Sequence, residues 1–267
     1  MMKKILPGML AAFAIGATVS AQPAFPDRSV RVVIPYSAGS GVDAVLRLLG
    51  EKLAQEWHQP VLIDNKPGAN GWLALGEVKR AKPDGYTLAT VDATHMTLHQ
   101  HLYRNMPYDP VKDFEPVVPL YRVNFFIVVA ASSPWRNVTE LLEAARAKGG
   151  KMTFGSWGIG SVGHVGAAVL EKETGTRMTH VPYKELPQLY TAVANGEVDW
   201  AFGAASTVSG LYKAGKVRLL AYAGPTRLAG YTTIPTVAEA GGTQGFDVST
   251  WVALYAPKGT PKSVIGA

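Results

Sequence analysis

A glycine-rich turn near the N-terminus contains the residues whose spacing most directly suggests chemistry. The turn, 35-PYSAGSGVDA-44, follows an apolar run and leads into a helical pattern. Gly39, Gly41 and Ala44 satisfy the G-x-G-x-x-G/A spacing of dinucleotide-binding turns. Asp64 ends the next apolar run, about 20 residues on, where an acid would bind a ribose hydroxyl. Taken alone, this spacing predicts a nicotinamide dinucleotide.

Two other features favour a small carboxylate over a dinucleotide. Asp43 lies at the predicted helix start, where its negative charge would oppose a pyrophosphate. We expect Asp43 to cap the helix, which leaves other N–H groups of the turn free to bind an anion. The chain also begins with an export-type segment, and nicotinamide cofactors are not expected outside the cytoplasm.

A second turn, 153-TFGSWGIGSVGH-164, has the same character. Its glycines, its serine hydroxyls and a helix start near Ser161 would form an anion site. Ser156 or Ser161 could also act as a nucleophile with His164 as base. However, Ser156 lies in G-S-x-G, not in the G-x-S-x-G of hydrolases, and no acid is placed to orient the base. We predict no catalytic residue, and a secreted dehydrogenase-like or hydrolytic enzyme is the alternative.

Four further residues follow predicted strands. Thr94 and His95 follow the third strand, and Tyr183 and Ala204 end two later strands. The carboxyl ends of parallel strands lie at one edge of a sheet, so these residues would share a cleft with the two turns.

Metal binding is not predicted. His95, His99 and His101 are close in sequence, and the first two are helical neighbours. The chain has no cysteine, and Asp92 is the one acid nearby. We interpret these histidines as surface or cleft residues.

The elements that would position the turns alternate between strands and helices. β-branched runs at 30–34, 61–64 and 86–90 have the composition of buried strands. Helical patterns at 43–57 and 71–81 separate them. This order predicts a parallel sheet with its binding edge at the carboxyl ends of the strands.

A long extended segment at 114–131 interrupts the alternation, and four more helices and four more strands follow it. This change predicts two α/β lobes, joined by crossings near 120–130 and 218–226, that close on a ligand by a hinge. A strand pair or ribbon at 246–257 would return to the first lobe. A single sheet of many strands is the alternative.

Composition restricts the class of protein. The 267 residues are 47% hydrophobic and 17% charged, which is typical of a globular protein. The net charge of +6 comes from Lys and Arg in runs of at most two, so no nucleic-acid partner is expected. With no cysteine, an exported form would depend on its core for stability.

Residues 1–21 have the features of a secretory signal. Lys3 and Lys4 precede an apolar stretch, and Val19-Ser20-Ala21 offers small residues for cleavage after Ala21. We expect the mature chain in the periplasm.

The order of motifs resembles the periplasmic solute-binding proteins of tripartite tricarboxylate transporters, the TctC-like or Bug family. The motifs are 26-PDRSVRVVIPYSAGSGVDAVLR-47, 60-PVLIDNKPGANGWLA-74, 82-KPDGYTLA-89, 109-DPVKDFEPV-117, 153-TFGSWGIGSVGH-164, 180-HVPYK-184 and 233-TIPTVAEAG-241. They span nearly all of the mature chain.

The resemblance implies a two-lobed, Venus-flytrap fold, with mixed, mostly parallel sheets flanked by helices. It implies capture of a small organic acid, without a cofactor or chemistry, for delivery to membrane transporter subunits. We expect a monomer. Lobe 1 would comprise 22–124 and 225–267, and lobe 2 would comprise 125–224.

In this resemblance both glycine-rich turns grip the ligand carboxylate, largely through backbone N–H groups and waters. The predicted ligand-binding residues are Tyr36, Ser37, Ala38, Gly39, Ser40, Gly41, Asp43, Thr94, His95, Ser156, Trp157, Gly160, Ser161, His164, Tyr183 and Ala204.

The chain departs from the family pattern at several positions. Ser40 separates two glycines that are commonly adjacent, Glu185 stands where a glycine is usual, and Gly203 stands where an aspartate is frequent. The last two bear on the ligand class. The sequence stops at 260-TPKSVIGA-267, where the family continues through C-terminal helices, so we expect an incomplete first lobe.

Overall fold

The structure, a computed structural model, describes residues 25–267. The predicted signal segment, residues 1–21, lies outside the described residues. Between residues 25 and 267, no helix has the length and apolar character needed to cross a membrane.

Strands and helices alternate through the described part of the chain. The strands are β1 (Val30–Ile34), β2 (Val61–Asn65), β3 (Thr87–Asp92), β4 (Phe114–Ala130), β5 (Thr153–Ser156), β6 (Thr179–Pro182), β7 (Trp200–Ala204), β8 (Val217–Ala223) and β9 (Ser249–Pro257). The α-helices are α1 (Gly41–Trp57), α2 (Trp72–Val78), α3 (His99–Leu102), α4 (Val138–Ala147), α5 (Val162–Thr174), α6 (Leu186–Asn195), α7 (Ala205–Lys213) and α8 (Lys262–Ile265). A 3-10 turn at Ala69–Gly71 precedes α2, and a π-helical turn at Thr94–Leu98 precedes α3.

The strands form two groups that share β4. β1 pairs in parallel with β2 and β3, and β9 joins β3 antiparallel. β5 pairs in parallel with β6 and β7. β4 pairs with β9 through residues 114–124 and with β7 and β8 through residues 125–130. We call the first group, with residues 114–124, lobe 1 and the second group lobe 2. The predicted α/β fold is confirmed, and both sheets are mixed.

The pairing of β4 with β9 shifts register twice, at Pro116 and at Pro119. Proline has no N–H to donate to a ladder, so irregularities are expected there. The strand nevertheless continues through both shifts and reaches lobe 2.

Helices cover both faces of each sheet, and alternate strand residues point to opposite faces. In lobe 1, Val33 packs with α2, whereas Val32 and Ile34 pack with α1. In lobe 2, Ile127 packs with α4 and α5, whereas Phe126 packs with α6 and α7. The largely apolar strands at the centre of both lobes therefore match burial on two faces.

The predicted second crossing at 218–226 is wrong, because β8 pairs entirely with the lobe 2 part of β4. Residues 228–248 continue to pack on lobe 2: Ile234 joins the core of α6, and Val237 and Val248 join the core of α4. The chain returns to lobe 1 at Ser249. The segment 246–257 contains one strand, β9, and not a strand pair.

Candidate functional site

Ser40 caps α1 in the turn after β1. Its backbone is extended (φ −68°, ψ 160°), and its hydroxyl accepts a hydrogen bond from the amide of Asp43 at 3.3 Å. The prediction that Asp43 caps the helix is therefore wrong, because the helix begins two residues earlier, at Gly41. Asp43 instead occupies the third helical position, and its carboxylate accepts from the amide of Gly39 at 2.9 Å.

Internal hydrogen bonds occupy the Asp43 carboxylate. It also accepts from Arg47 Nε at 3.1 Å and from Asn65 Nδ2 at 2.9 Å, and the residue is only 3% exposed. Burial raises the pKa of the Asp43 carboxyl, but the hydrogen bonds from Arg47, Gly39 and Asn65 outweigh burial and lower the pKa below 3.8. Asp43 is therefore a charged, structural part of the turn.

The turn leaves several backbone donors unused. The amide of Ser40 bonds to Ser37 O at 3.1 Å, and Gly39 between them has φ 78°, as in a type II turn. Within residues 25–267, no hydrogen bond is formed by the amides of Ser37, Ala38, Gly41 and Val42. These donors lie at the N-terminus of α1, where an anion is favoured.

The turn between β5 and α5 has the same construction. Ser161 (φ −67°, ψ 158°) accepts from the amide of His164 at 3.3 Å, and its own amide bonds to Gly158 O at 3.2 Å. Gly160 has φ 80°, and its amide donates to His164 Nδ1 at 3.2 Å. His164 thus corresponds to Asp43, and Ser161 to Ser40. In the described chain the amides of Trp157, Ile159, Val162 and Gly163 have no partner.

Ser156 pairs with His180 and not with His164. Its hydroxyl lies 2.7 Å from His180 Nε2 and 3.0 Å from Gly158 O. The residue is fully buried, so no solute can reach the hydroxyl. Burial, together with the charge of His164, lowers the pKa of His180 to about 4. Ser156 and His180 therefore stabilise the turn from its buried side, and Ser156, which the sequence predicts to bind the ligand, does not line the cavity.

Asp92, at the end of β3, organises a polar wall in lobe 1. Its carboxylate accepts from Tyr36 OH at 3.0 Å, from the amide of Thr94 at 2.9 Å and from His95 Nδ1 at 2.9 Å. Burial would raise the pKa of the Asp92 carboxyl, but the charge and hydrogen bond of His95, with the bonds from Thr94 and Tyr36, hold it well below 3.8.

A cavity of about 430 Å³ lies between the lobes. Tyr36, Ser37, Asn70, Thr94, His95, His99 and Tyr103 line it from lobe 1, and Trp157, Ile159, Ser161, Tyr183, Lys184 and Leu186 line it from lobe 2. A smaller hollow of about 50 Å³ shares Tyr36, Trp157 and Leu186 with it. The volume lies within the range of small-molecule sites.

A different cavity, of about 300 Å³, lies beneath α1. Its lining is almost entirely apolar and includes Leu46, Leu53, Trp57 and Val264. It offers no set of donors for an anion, so we place the candidate site between the lobes.

The lobes touch across the candidate site. Tyr103 OH accepts from Asn70 Nδ2 and donates to Ile159 O, both at 2.8 Å. The hydroxyl of Ser37 donates to the carboxylate of Glu185. These contacts bring the two serine-capped turns to opposite sides of one enclosed space.

Nine of the sixteen predicted ligand-binding residues line the cavity or its adjoining hollow. They are Tyr36, Ser37, Gly41, Thr94, His95, Trp157, Ser161, Tyr183 and Ala204. The remaining seven lie outside the lining, and most of them shape the turns: Ala38, Gly39, Ser40, Asp43, Ser156, Gly160 and His164.

The sequence analysis does not single out Asp92, Asn70, His99 or Tyr103 as site residues. Asp92 could have been predicted, because it is the last residue of β3 and lies two residues beyond the strand predicted at 86–90. His99 and Tyr103 reach the cavity through the π-helical turn and α3, which are not among the elements predicted from the sequence.

The acid that the dinucleotide spacing requires, Asp64, lies away from the cavity. Asp64 accepts from Arg31 Nε at 2.9 Å, beside Glu77 and Lys66, and does not line the cavity. Across residues 25–267, no group of three or more His, Cys, Asp or Glu is arranged to hold a metal ion.

Solved structures with this fold include two that contain organic acids. The Rhodopseudomonas palustris protein Rpa4515 with adipate is 31% identical, with a TM-score of 0.87 over 91% of this chain and 81% of that chain. MatC from the same organism, with bound malate, is 30% identical, with a TM-score of 0.83 over 90% and 82%. The periplasmic binding protein BugD is 31% identical, with a TM-score of 0.83 over 91% and 80%.

A family model described as the tripartite tricarboxylate transporter family receptor matches residues 45–267. The matched region contains lobe 2 with the second serine-capped turn, and lobe 1 apart from β1, the first turn and the start of α1. The resemblance found in the sequence is confirmed. This chain belongs to the TctC family of tripartite tricarboxylate transporter receptors.

Proposed function

We propose that this protein captures a small organic acid between its lobes and delivers it to a tripartite tricarboxylate-type transporter. One observation carries the proposal: two turns of the same construction, one from each lobe, border a single cavity and leave backbone amides unpartnered. The adipate and malate in the related structures support a carboxylate as the ligand.

The energetics are adequate for such a ligand. A hydrogen bond to a charged group contributes about 1.5–3 kcal/mol. Two such bonds from each lobe would contribute about 6–12 kcal/mol. Micromolar binding, about −8 kcal/mol, therefore requires bonds at the upper end of this range, because association itself costs about 4 kcal/mol or more. Lobe closure would then create the surface that a transporter recognises.

Proline substitutions test the amides directly. Ala38 and Ile159 each occupy the second position of a turn whose third residue is a glycine with positive φ, where proline is well tolerated. Ala38→Pro and Ile159→Pro each delete one unpartnered N–H. We expect each to weaken carboxylate binding about tenfold, measured by calorimetry with whichever of adipate, malate and 6-aminohexanoate the unaltered protein binds most tightly.

Matched controls keep the amide. Ala38→Ser and Ile159→Val should bind as the unaltered protein does, and circular dichroism should show all four variants folded. Unchanged affinity in a folded Ile159→Pro protein would remove the second turn from the site, because Ile159 lines the cavity. Ala38 does not line it, so unchanged affinity in Ala38→Pro would remove only that amide from the site.

The absence of chemistry is also part of the proposal. Adipate and malate recovered from an incubation with the protein should have unaltered NMR spectra, and calorimetry with NADH should show no binding. A converted ligand would favour the secreted enzyme instead.

The location, assembly and lobe limits are proposals of the same kind. We propose a periplasmic monomer that begins at Gln22. We propose that the lobes divide between residues 124 and 125, where β4 changes partners, and near 248, because residues 228–248 pack on lobe 2. The N-terminal sequence and the mass in solution of the exported protein check the first two statements.

A further inference from the structure

Glu185 places a carboxylate between the lobes at the edge of the cavity. It occupies the position before α6 with an extended backbone (φ −122°, ψ 127°), yet its side chain makes no bond to the amides of that helix. Instead it accepts a hydrogen bond from Ser37, in the first turn of lobe 1. Ser37, Lys184 and Leu186 all line the cavity, so the carboxylate stands beside the space that the ligand would occupy.

The geometry points to Glu185 as a specificity-determining residue. Resting on the proposed carboxylate-binding function, this inference assigns the ligand class: one carboxylate, with a hydrogen-bond donor, above all an ammonium group, at the end that faces Glu185. Dicarboxylates are disfavoured because their second carboxylate would meet a fixed like charge.

The other charged groups around the cavity do not cancel this effect. His95 lines the cavity, but its Nδ1 is paired with the Asp92 carboxylate at 2.9 Å. Lys184 is exposed to solvent, which weakens its attraction for a buried anion. Asp92 is buried and negative behind Tyr36. Burial, with the charge of His95, lowers the pKa of His99 to about 4, so this histidine is uncharged at neutral pH.

The contact with Ser37 also removes a donor from the ligand. The Ser37 hydroxyl is already used by Glu185, so a second ligand carboxylate at this edge would gain no hydrogen bond from it. An ammonium group there would instead donate to the Glu185 carboxylate. The same side chain therefore repels one ligand class and binds the other.

Two pairs of ligands of matched length separate charge from size. Adipate is compared with 6-aminohexanoate, and succinate with 4-aminobutanoate, by calorimetry on the full protein and on Glu185→Gln. Glutamine keeps the side-chain length and can still accept from Ser37. We expect the unaltered protein to prefer the amino acid of at least one pair by about tenfold or more. Glu185→Gln should shift that ratio toward the dicarboxylate by about tenfold or more.

Three control variants test whether the change in ligand preference depends on the charge at position 185. Glu173→Gln removes an exposed carboxylate at the far end of α5 and should leave the ratio unchanged. Glu185→Asp keeps the charge and should keep the original preference. Glu185→Gly is a second uncharged variant, and it should match Glu185→Gln.

The possible failures are distinguishable. If both members of a pair bind and the uncharged variants leave their ratio unchanged, the role of Glu185 is overturned while the proposed function stands. A dicarboxylate preference in the unaltered protein also overturns it. If no carboxylate binds to any variant, the proposed function fails and the inference fails with it.

Discussion

His99 shows how burial sets the charge of single residues around the cavity. It is 2% exposed, and in the described part of the chain its Nδ1 has no hydrogen-bond partner. Burial, with the nearby charge of His95, lowers its pKa from 6.5 to about 4. The neutral ring is therefore part of the folded state at neutral pH.

This residue makes stability depend on pH. Between pH 6.5 and about 4 the unfolded chain binds a proton at His99 that the folded chain does not bind. The contribution of His99 to the free energy of unfolding is therefore fully present above pH 6.5 and is lost as the pH falls toward 4. We expect His99→Phe to reduce the pH slope of the unfolding free energy by up to about 1.4 kcal/mol per pH unit, measured with urea.

His101→Gln is the control, since His101 lies on the exposed side of the same short helix. It should leave the slope unchanged. An equal slope in His99→Phe and in the unaltered protein would contradict the assignment of His99.

Some of these residues could be predicted from sequence and others could not. Thr94 and His95 follow a strand, and strand ends can be recognised from composition. His99 and Tyr103 depend on the π-helical turn, which no apolar period indicates, so their approach to the cavity was not predictable. Which serine or acid would cap α1 was also not predictable, because Ser40 and Asp43 both suit the position.

At the scale of elements, the two glycine-rich turns share one backbone conformation and one hydrogen-bond pattern. Each has a glycine with positive φ, then a serine cap, and each has a third helical residue that accepts from the amide before the cap. The residue types differ at that third position, Asp43 in one and His164 in the other. The shared feature at this position is a hydrogen-bond acceptor of suitable length. The adjacent glycine and serine in each sequence motif predict the turn and its cap.

Removing either cap tests this design. Ser40→Ala and Ser161→Ala each leave the N-terminus of a long helix without its side-chain acceptor. We expect each to lower the unfolding free energy by about 1 kcal/mol, measured with urea at pH 7. Ser132→Ala, in an exposed loop, should have no measurable effect. A cap variant as stable as that control would show that the serine does not support its turn.

At the scale of the whole molecule, the lobes meet where α1 begins. A Cβ atom at Gly41 would lie 2.2 Å from Ser206 Oγ and 2.8 Å from Thr207 Oγ1, both at the start of α7 in lobe 2. Glycine at position 41 thus permits the close approach of the two lobes. The spacing of the motif predicts a glycine here, but its contact with lobe 2 follows only from the tertiary structure.

Gly41→Ala should separate the lobes. We expect a larger radius of gyration by small-angle scattering and weaker adipate or malate binding. Gly210→Ala is a matched control on α7, because nothing lies within 4 Å of the added methyl group. Adding Ser206→Ala to Gly41→Ala should restore part of the compact form. A compact Gly41→Ala protein would mean that this contact does not govern closure.

The strand order also dictates when each lobe can be completed during synthesis. β9, which follows all of lobe 2 in the sequence, lies between β3 and β4 in the lobe 1 sheet. By contrast, every strand of the lobe 2 sheet is available once residue 223 has emerged. Lobe 1, whose strands come first in the described chain, is therefore the last to complete its sheet. Until residues up to 257 are available, β3 and β4 each have an unpaired edge where β9 will bind.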